Sequence, residues 1–191
     1  MLSGRRLNLV EPSPIDIEIE DIALGLSRNA RWNGQTEGPH AWSIAQHSDL
    51  VVDIVRREKP RAPARLLMAA KLHDASEFVT HDLITPLKAA VGDVFKEVEL
   101  RLMRAIHIRF GLPPVLSAEF RALIKRADRV SAATEAVQLA GYSDTECRGY
   151  LKFKEKPLKS FTLVPLSAVE AERTFLLGFR QLERAMRLEN R

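Results

Sequence analysis

Four residues carry the side chains best suited to chemistry: His47, the adjacent pair His73-Asp74, and Asp128. The pair sits between the apolar runs Leu66-Leu67-Met68-Ala69-Ala70 and Phe78-Val79, with Glu77 a few residues beyond. A carboxylate among apolar neighbours is costly unless something compensates its charge. His47 shares a helical face with Ile44, Val51 and Ile54, and Asp128 lies one turn after Ile124. Arg126 and Arg129, its near neighbours in sequence, point elsewhere on that helix. Two imidazoles and two carboxylates make a mixed N/O donor set, suited to one divalent ion. Mn²⁺, Co²⁺, Fe²⁺, Ni²⁺, Zn²⁺ and, less well, Mg²⁺ all fit, whereas thiolate-type structural zinc does not. On a six-coordinate ion such a set leaves positions for water and substrate, as metal-assisted hydrolysis requires.

The elements that must position these residues read as helices almost throughout. Apolar residues recur at helical spacing over 43–57, 62–75, 93–110, 115–139 and 168–188, with Ser167 ahead of the last as a cap. Gly111 and Pro113-Pro114 close the third. Ile15, Ile17 and Ile19 alternate with acidic residues, and Leu7–Val10 and Phe161–Val164 are short β-like runs, so a minor two-stranded element is allowed. Gly, Asn, Pro and polar residues gather in 29–39 and 141–165, which read as loops. The expected fold is all-α, one domain over 1–191, with the motifs in a core of about 31–140 and the 168–188 helix packed on it.

Composition sets outer bounds. At 191 residues, 46% hydrophobic and 28% charged, the chain can bury a core without staples. Its single cysteine, Cys147, allows no internal disulfide. No stretch approaches the roughly 18 apolar residues of a membrane span, and no signal-peptide pattern follows the basic N-terminus, so a cytoplasmic location is expected. A net charge of +4 suits an anionic small molecule but falls short of nucleic-acid binding. The most basic stretch, Arg148 to Lys159, reads as a solvated loop. His40 reads as exposed. His107, in the last turn of its helix, has a dipole role to play, and Cys147 lacks the paired histidine a nucleophile needs.

The order His47, His73-Asp74, Asp128 resembles the signature of the HD-domain superfamily of metal-dependent phosphohydrolases. Arg31-Trp32, Gln46-His47-Ser48, His73-Asp74-Ala75-Ser76-Glu77, Asp82-Leu83-Ile84-Thr85-Pro86-Leu87-Lys88 and Lys125-Arg126-Ala127-Asp128 resemble successive motifs of the bacterial HD-domain 5′-deoxynucleotidases. That resemblance implies an HD helical bundle releasing phosphate from (deoxy)nucleoside 5′-monophosphates. His47, His73, Asp74 and Asp128 would hold the metal. Glu77 would position or activate water, or protonate the leaving oxygen. Arg31 would hold the 5′-phosphate, Trp32 would pack on the sugar and disfavour a 2′-hydroxyl, and Asp82 would accept from the 3′-hydroxyl. Thr85 and Lys88 would be further contacts, and a homodimer is in keeping with the family. The chain departs from the family pattern at Gln46 (usually acidic), His81 (usually Gly) and Ile84 (usually Pro), around the substrate pocket. Phosphodiester or nucleoside triphosphate hydrolysis, and non-catalytic metal or nucleotide binding, are the alternative readings.

Overall fold

A computed structural model of the chain describes residues 1–190, apart from the side chain of Thr85. Its regular elements are helices: α1 Ile19–Arg28, α2 Ile44–Glu58, α3 Ala64–Lys71, α4 Glu77–Thr80, α5 Thr85–Val91, α6 Asp93–Arg109, α7 Ala118–Gln138, α8 Asp144–Gly149 and α9 Ala168–Glu189. The all-α expectation is met. The two-stranded element is not, because the described residues contain only one isolated antiparallel bridge, Ala30 with Ser43.

The isoleucine alternation has another cause. Pro14–Asp16 forms a single 3₁₀ turn, and Ile19 then opens α1. Ile17 and Ile19 are buried for that reason, while Ile15 is 70% exposed. α1 itself lay hidden inside that pattern, and α8 inside the 141–165 segment read as loop. The long helices start as their caps dictate. Ser43, Ser117 and Ser167 accept from the N3 backbone amides of α2, α7 and α9, and Glu170 completes a capping box for α9.

α2 lies at the centre, with α1, α3, α7 and α9 packed round it, and α9 also covers α1 and α3. Ile44, Val51, Ile54, Leu66, Met68, Leu102, Ile106 and Phe175 are among the side chains that fill the space between them. The helix expected over 62–75 ends early, at Lys71, and residues 72–76 form turns before α4 begins. The break serves the site. Consecutive residues of a regular helix point about 100° apart. By leaving the helix after Leu72, the chain turns His73 and Asp74 toward the same point.

α4, which begins at Glu77, is held by a close crossing with α1. A Cβ on Gly25 would meet Phe78 O at 2.6 Å and Phe78 Cβ at 2.8 Å. Only a residue without a side chain lets these backbones approach so nearly. Gly25→Val is therefore expected to destabilise the fold by about 1–3 kcal/mol through overpacking. Urea titration of the two proteins measures this, and equal midpoints would mean that the crossing tolerates a side chain.

Candidate metal and phosphate site

The loop between α1 and α2 brings Arg31 and Trp32 beside His47. The Arg31 amide donates to Trp42 O (2.8 Å) and the Ile44 amide to Asn29 O (3.0 Å), so the chain doubles back onto the start of α2. Trp32 and Asn33 have φ of +55° and +52°. For a bulky aromatic this is strained backbone, and such strain persists only where the surroundings over-determine it. Here the Trp32 indole N–H donates to Glu135 Oε2 (3.0 Å), and its ring rests against Tyr142, centroids 5.9 Å apart.

His47 is fully buried. Its Nδ1–H donates to Glu135 Oε1 at 2.6 Å, and the Nδ1–H of His73 donates to Ala70 O at 2.8 Å. A carboxylate and a carbonyl can only accept, so each neutral ring presents a bare Nε2 lone pair on its other side. Those two Nε2 atoms face each other at 3.2 Å. Asp74 Oδ2 lies 3.5 Å from His47 Nε2 and 3.2 Å from His73 Nε2. Asp128 Oδ1 lies 3.2 Å and 4.0 Å from the same two nitrogens. With both rings neutral, four electron-pair donors converge on one point. Ligands about 2.1 Å from a single ion stand roughly 3.0–3.4 Å apart in octahedral or tetrahedral arrangements. Three of these five spacings fall in that range, with His47–Asp74 at 3.5 Å and His73–Asp128 at 4.0 Å outside it, and donor atoms of His47, His73 and Asp128 all fall within 4.8 Å of one another.

Charge in the site is balanced locally. Without an ion, burial and the Arg31 charge oppose protonation of His47, yet Glu135, Asp128 and Asp74 favour it, so a proton competes with a metal for Nε2. Burial resists ionisation of Asp74 and Glu135. The His73 and His47 rings nonetheless hold Asp74 well below the usual carboxylate range, and Arg31 and His47 do so for Glu135. Arg31 donates through Nε to Glu135 Oε2 (2.8 Å), and its Nη1 lies 3.7 Å from Asp82 Oδ2 and 3.9 Å from Asp74 Oδ2. The guanidinium bridges Asp74 and Glu135 to Asp82.

Glu77 behaves in the opposite way. It is 4% exposed, Lys88 Nζ donates to its Oε1 at 3.1 Å, and its Oε2 is buried without a partner among the described residues. Burial first, then the Asp74 and Asp82 charges, push its carboxyl up to about 8, with Lys88 pulling the other way. It is a protonated acid at neutral pH. Asn29 fixes its helix at both ends: the Asn29 side-chain amide donates to Glu77 O (2.9 Å), and Nδ1–H of His81 donates to Asn29 Oδ1 (2.6 Å). His81 thus clamps α4, with φ +61°, a backbone region that favours glycine.

The residues singled out by sequence do come together, with particular differences. Lys88 is spent on Glu77 and on Glu99 (3.4 Å). Asp82 does not cap α5, whose N-cap is Ile84. The Thr85 side chain lies outside the described residues. Gln46 acts structurally, since its Nε2 donates to Val164 O (2.9 Å) and its Oε1 accepts from the Leu166 amide (3.0 Å). A glutamate could only accept, so an amide suits this strap. Arg126 and Arg129 pair with Glu58 and Glu155, away from the site. His107 is buried, and burial holds its ring toward the neutral form, removing the charge that a helix-dipole role needs. Burial, with Asp144 and Glu146, pushes the Cys147 thiol up, as for an inert cysteine.

Glu135 was missed by sequence reasoning. It is wholly buried and accepts from Arg31, Trp32, His47 and Ser131 (2.9 Å). A signal existed. Glu135 follows Asp128 by seven residues, two turns along α7, in the small-residue run Ala132-Ala133-Thr134-Glu135-Ala136.

Residues 24–170 match the family model described as 5′-deoxynucleotidase YfbR-like. An uncharacterized protein of Rhodobacter capsulatus is 56% identical over 146 residues, 76% of this chain and 74% of its own length. The uncharacterized Escherichia coli protein YfdR is 31% identical over 180 residues, 94% and 92% of the two chains. A 5′-deoxynucleotidase of Pectobacterium atrosepticum is 28% identical over 169 residues, 86% and 76%.

Because Glu135 orients His47, Glu135→Gln is expected to weaken Mn²⁺ binding about 10–100-fold, as removal of an outer hydrogen-bond partner does elsewhere. Competition against a fluorescent chelator reads the affinity. An unchanged dissociation constant would show that His47 needs no such orientation.

Proposed function

The chain belongs to the YfbR-like 5′-deoxynucleotidase family of the HD-domain superfamily, and from this we propose that it is a metal-dependent phosphomonoesterase releasing phosphate from deoxynucleoside 5′-monophosphates. The observation that carries the proposal is the pairing of four convergent donors with a separate, protonated Glu77 beside them. In this reading His47, His73, Asp74 and Asp128 hold a divalent ion. When bound, that ion lowers the pKa of coordinated water and screens phosphate charge.

The chain's own groups do the rest. Arg31 remains cationic, its charge favoured by Glu135, Asp82 and Asp74 despite burial. Its planar fork, already fixed through Nε, presents the Nη hydrogens to phosphate oxygens. Trp32, pinned through its indole nitrogen, gives a rigid wall for the sugar, and Asp82 is placed beside Arg31 to accept from a 3′-hydroxyl. Glu77 holds a proton at neutral pH and delivers it to the leaving 5′-oxygen as the ester bond breaks. Lys88 keeps that carboxyl aimed and limits how far its pKa rises.

The test is orthophosphate release from a panel of deoxy- and ribonucleoside 5′-monophosphates, triphosphates and cyclic phosphodiesters, run separately with Mn²⁺, Co²⁺ and Mg²⁺. Deoxynucleoside monophosphates should be the best substrates. Turnover should fall as pH rises above neutrality, because the active form of Glu77 is its acid, and fall again toward acid pH, where protonation of His47 competes with the ion. Glu77→Gln should keep the metal and lose about 10²–10⁴-fold in kcat, whereas Asp74→Asn should lose both metal and turnover. Preference for triphosphates or cyclic diesters would contradict the monoesterase reading, and full activity of Glu77→Gln would remove its role.

A further inference from the structure

The basic stretch 148–159 is not a featureless solvated loop. With α8 it encloses a cavity of about 320 Å³ lined by Arg148, Lys154, Lys156 and Lys159, together with Asp144, Glu155, Cys147 and Pro157. None of the four cations has a carboxylate within ion-pair distance among the described residues. Glu155 is already engaged: it lies 3.7 Å from Arg129 and accepts from the Lys154 amide at 3.2 Å. Four like charges round one concavity repel one another, and a ligand that supplies several negative charges relieves that repulsion. The volume lies at the lower end of small-molecule sites, roughly 300–1,000 Å³.

The loop is also fastened where a binding loop needs to be. The Leu158 amide donates to Thr134 Oγ1 (3.0 Å), and Gln138 donates to Leu158 O (3.2 Å) and Phe161 O (2.8 Å) while accepting from the Leu163 amide (3.0 Å). Thr134 and Gln138 flank Glu135 on α7, and Gln46, next to His47, holds the end of the same segment. The chain that follows the cavity's lining, from Leu158 to Leu166, is thus tied to two helices of the bundle.

We propose that this cavity is a second anion site, separate from the metal centre, that binds a small ligand carrying two or more linked phosphate groups. The chemistry is charge-assisted hydrogen bonding from one guanidinium and three ammonium groups to phosphate oxygens. Two linked phosphates carry more negative charge than one orthophosphate and so offset more of these four cations. The four cations gather round one surface concavity rather than along a track, which suits a compact ligand better than an extended polymer.

The test titrates ADP, without divalent metal, into the full-length protein by calorimetry, beside orthophosphate and a single-stranded oligonucleotide. Arg148→Gln/Lys154→Gln/Lys156→Gln carries only surface changes, and it should weaken ADP binding at least tenfold while leaving nucleotidase activity and melting temperature near those of the parent. His73→Ala, at the metal centre, should bind ADP as the parent does. The proposal is overturned by any of four results: no ADP binding at millimolar concentration, equal affinity in the triple variant, loss of binding in His73→Ala, or an oligonucleotide that binds tighter than ADP through the same three residues. Orthophosphate binding as tightly as ADP would also contradict it. None of these outcomes depends on which monophosphate the metal centre hydrolyses.

Discussion

Two imidazole nitrogens that face each other at 3.2 Å, with two carboxylates beside them, are the constraint on which this structure turns. Left alone, such an arrangement is repulsive, and the two carboxylate oxygens beside it add to the repulsion. The fold meets that cost from outside the cluster. Glu135 and Ala70 O fix each ring's Nδ1 proton, and so fix the inward direction of both lone pairs. Folding has assembled a site that favours positive charge, either a proton on His47 or a cation shared by the donors.

One buried carboxylate unites the two halves of the site. Glu135 accepts from His47 on the metal side and from Arg31 and Trp32 on the substrate side. Burying a charge is costly unless its partners are well placed, and here each of these partners is a donor. The same residue therefore sets the histidine tautomer, pins the strained Trp32 turn and holds the Arg31 guanidinium. Glu77 stands apart, kept neutral by burial and by neighbouring carboxylates. Carboxyl groups a few residues apart are held in opposite protonation states, the usual way to divide acid and base roles.

Much of this could be read before the structure. The helical spacing of His47 and Asp128 placed both on inward faces, because the 3.6 period is strong in long helices such as α2 and α7. The break at Leu72 could not be read, since Leu66 to Asp74 keeps a helical pattern; the break answers a demand from His73 and Asp74 that exists only in three dimensions. α1 was concealed by an alternation that a 3₁₀ turn mimics. Glu135 and Asn29 escaped notice because their value lies in contacts across 48 to 104 positions of sequence. Gln46 read as a change to the substrate pocket, and it proved to be a two-way amide clamp on the 164–166 backbone.

The central claim is that the four donors make one divalent metal centre. X-ray absorption on the Co²⁺-loaded protein reads its nearest neighbours directly. The account predicts two imidazole scatterers per ion and oxygen ligands at about 2.0–2.2 Å. A stoichiometric ion with an all-oxygen shell and no imidazole would contradict it.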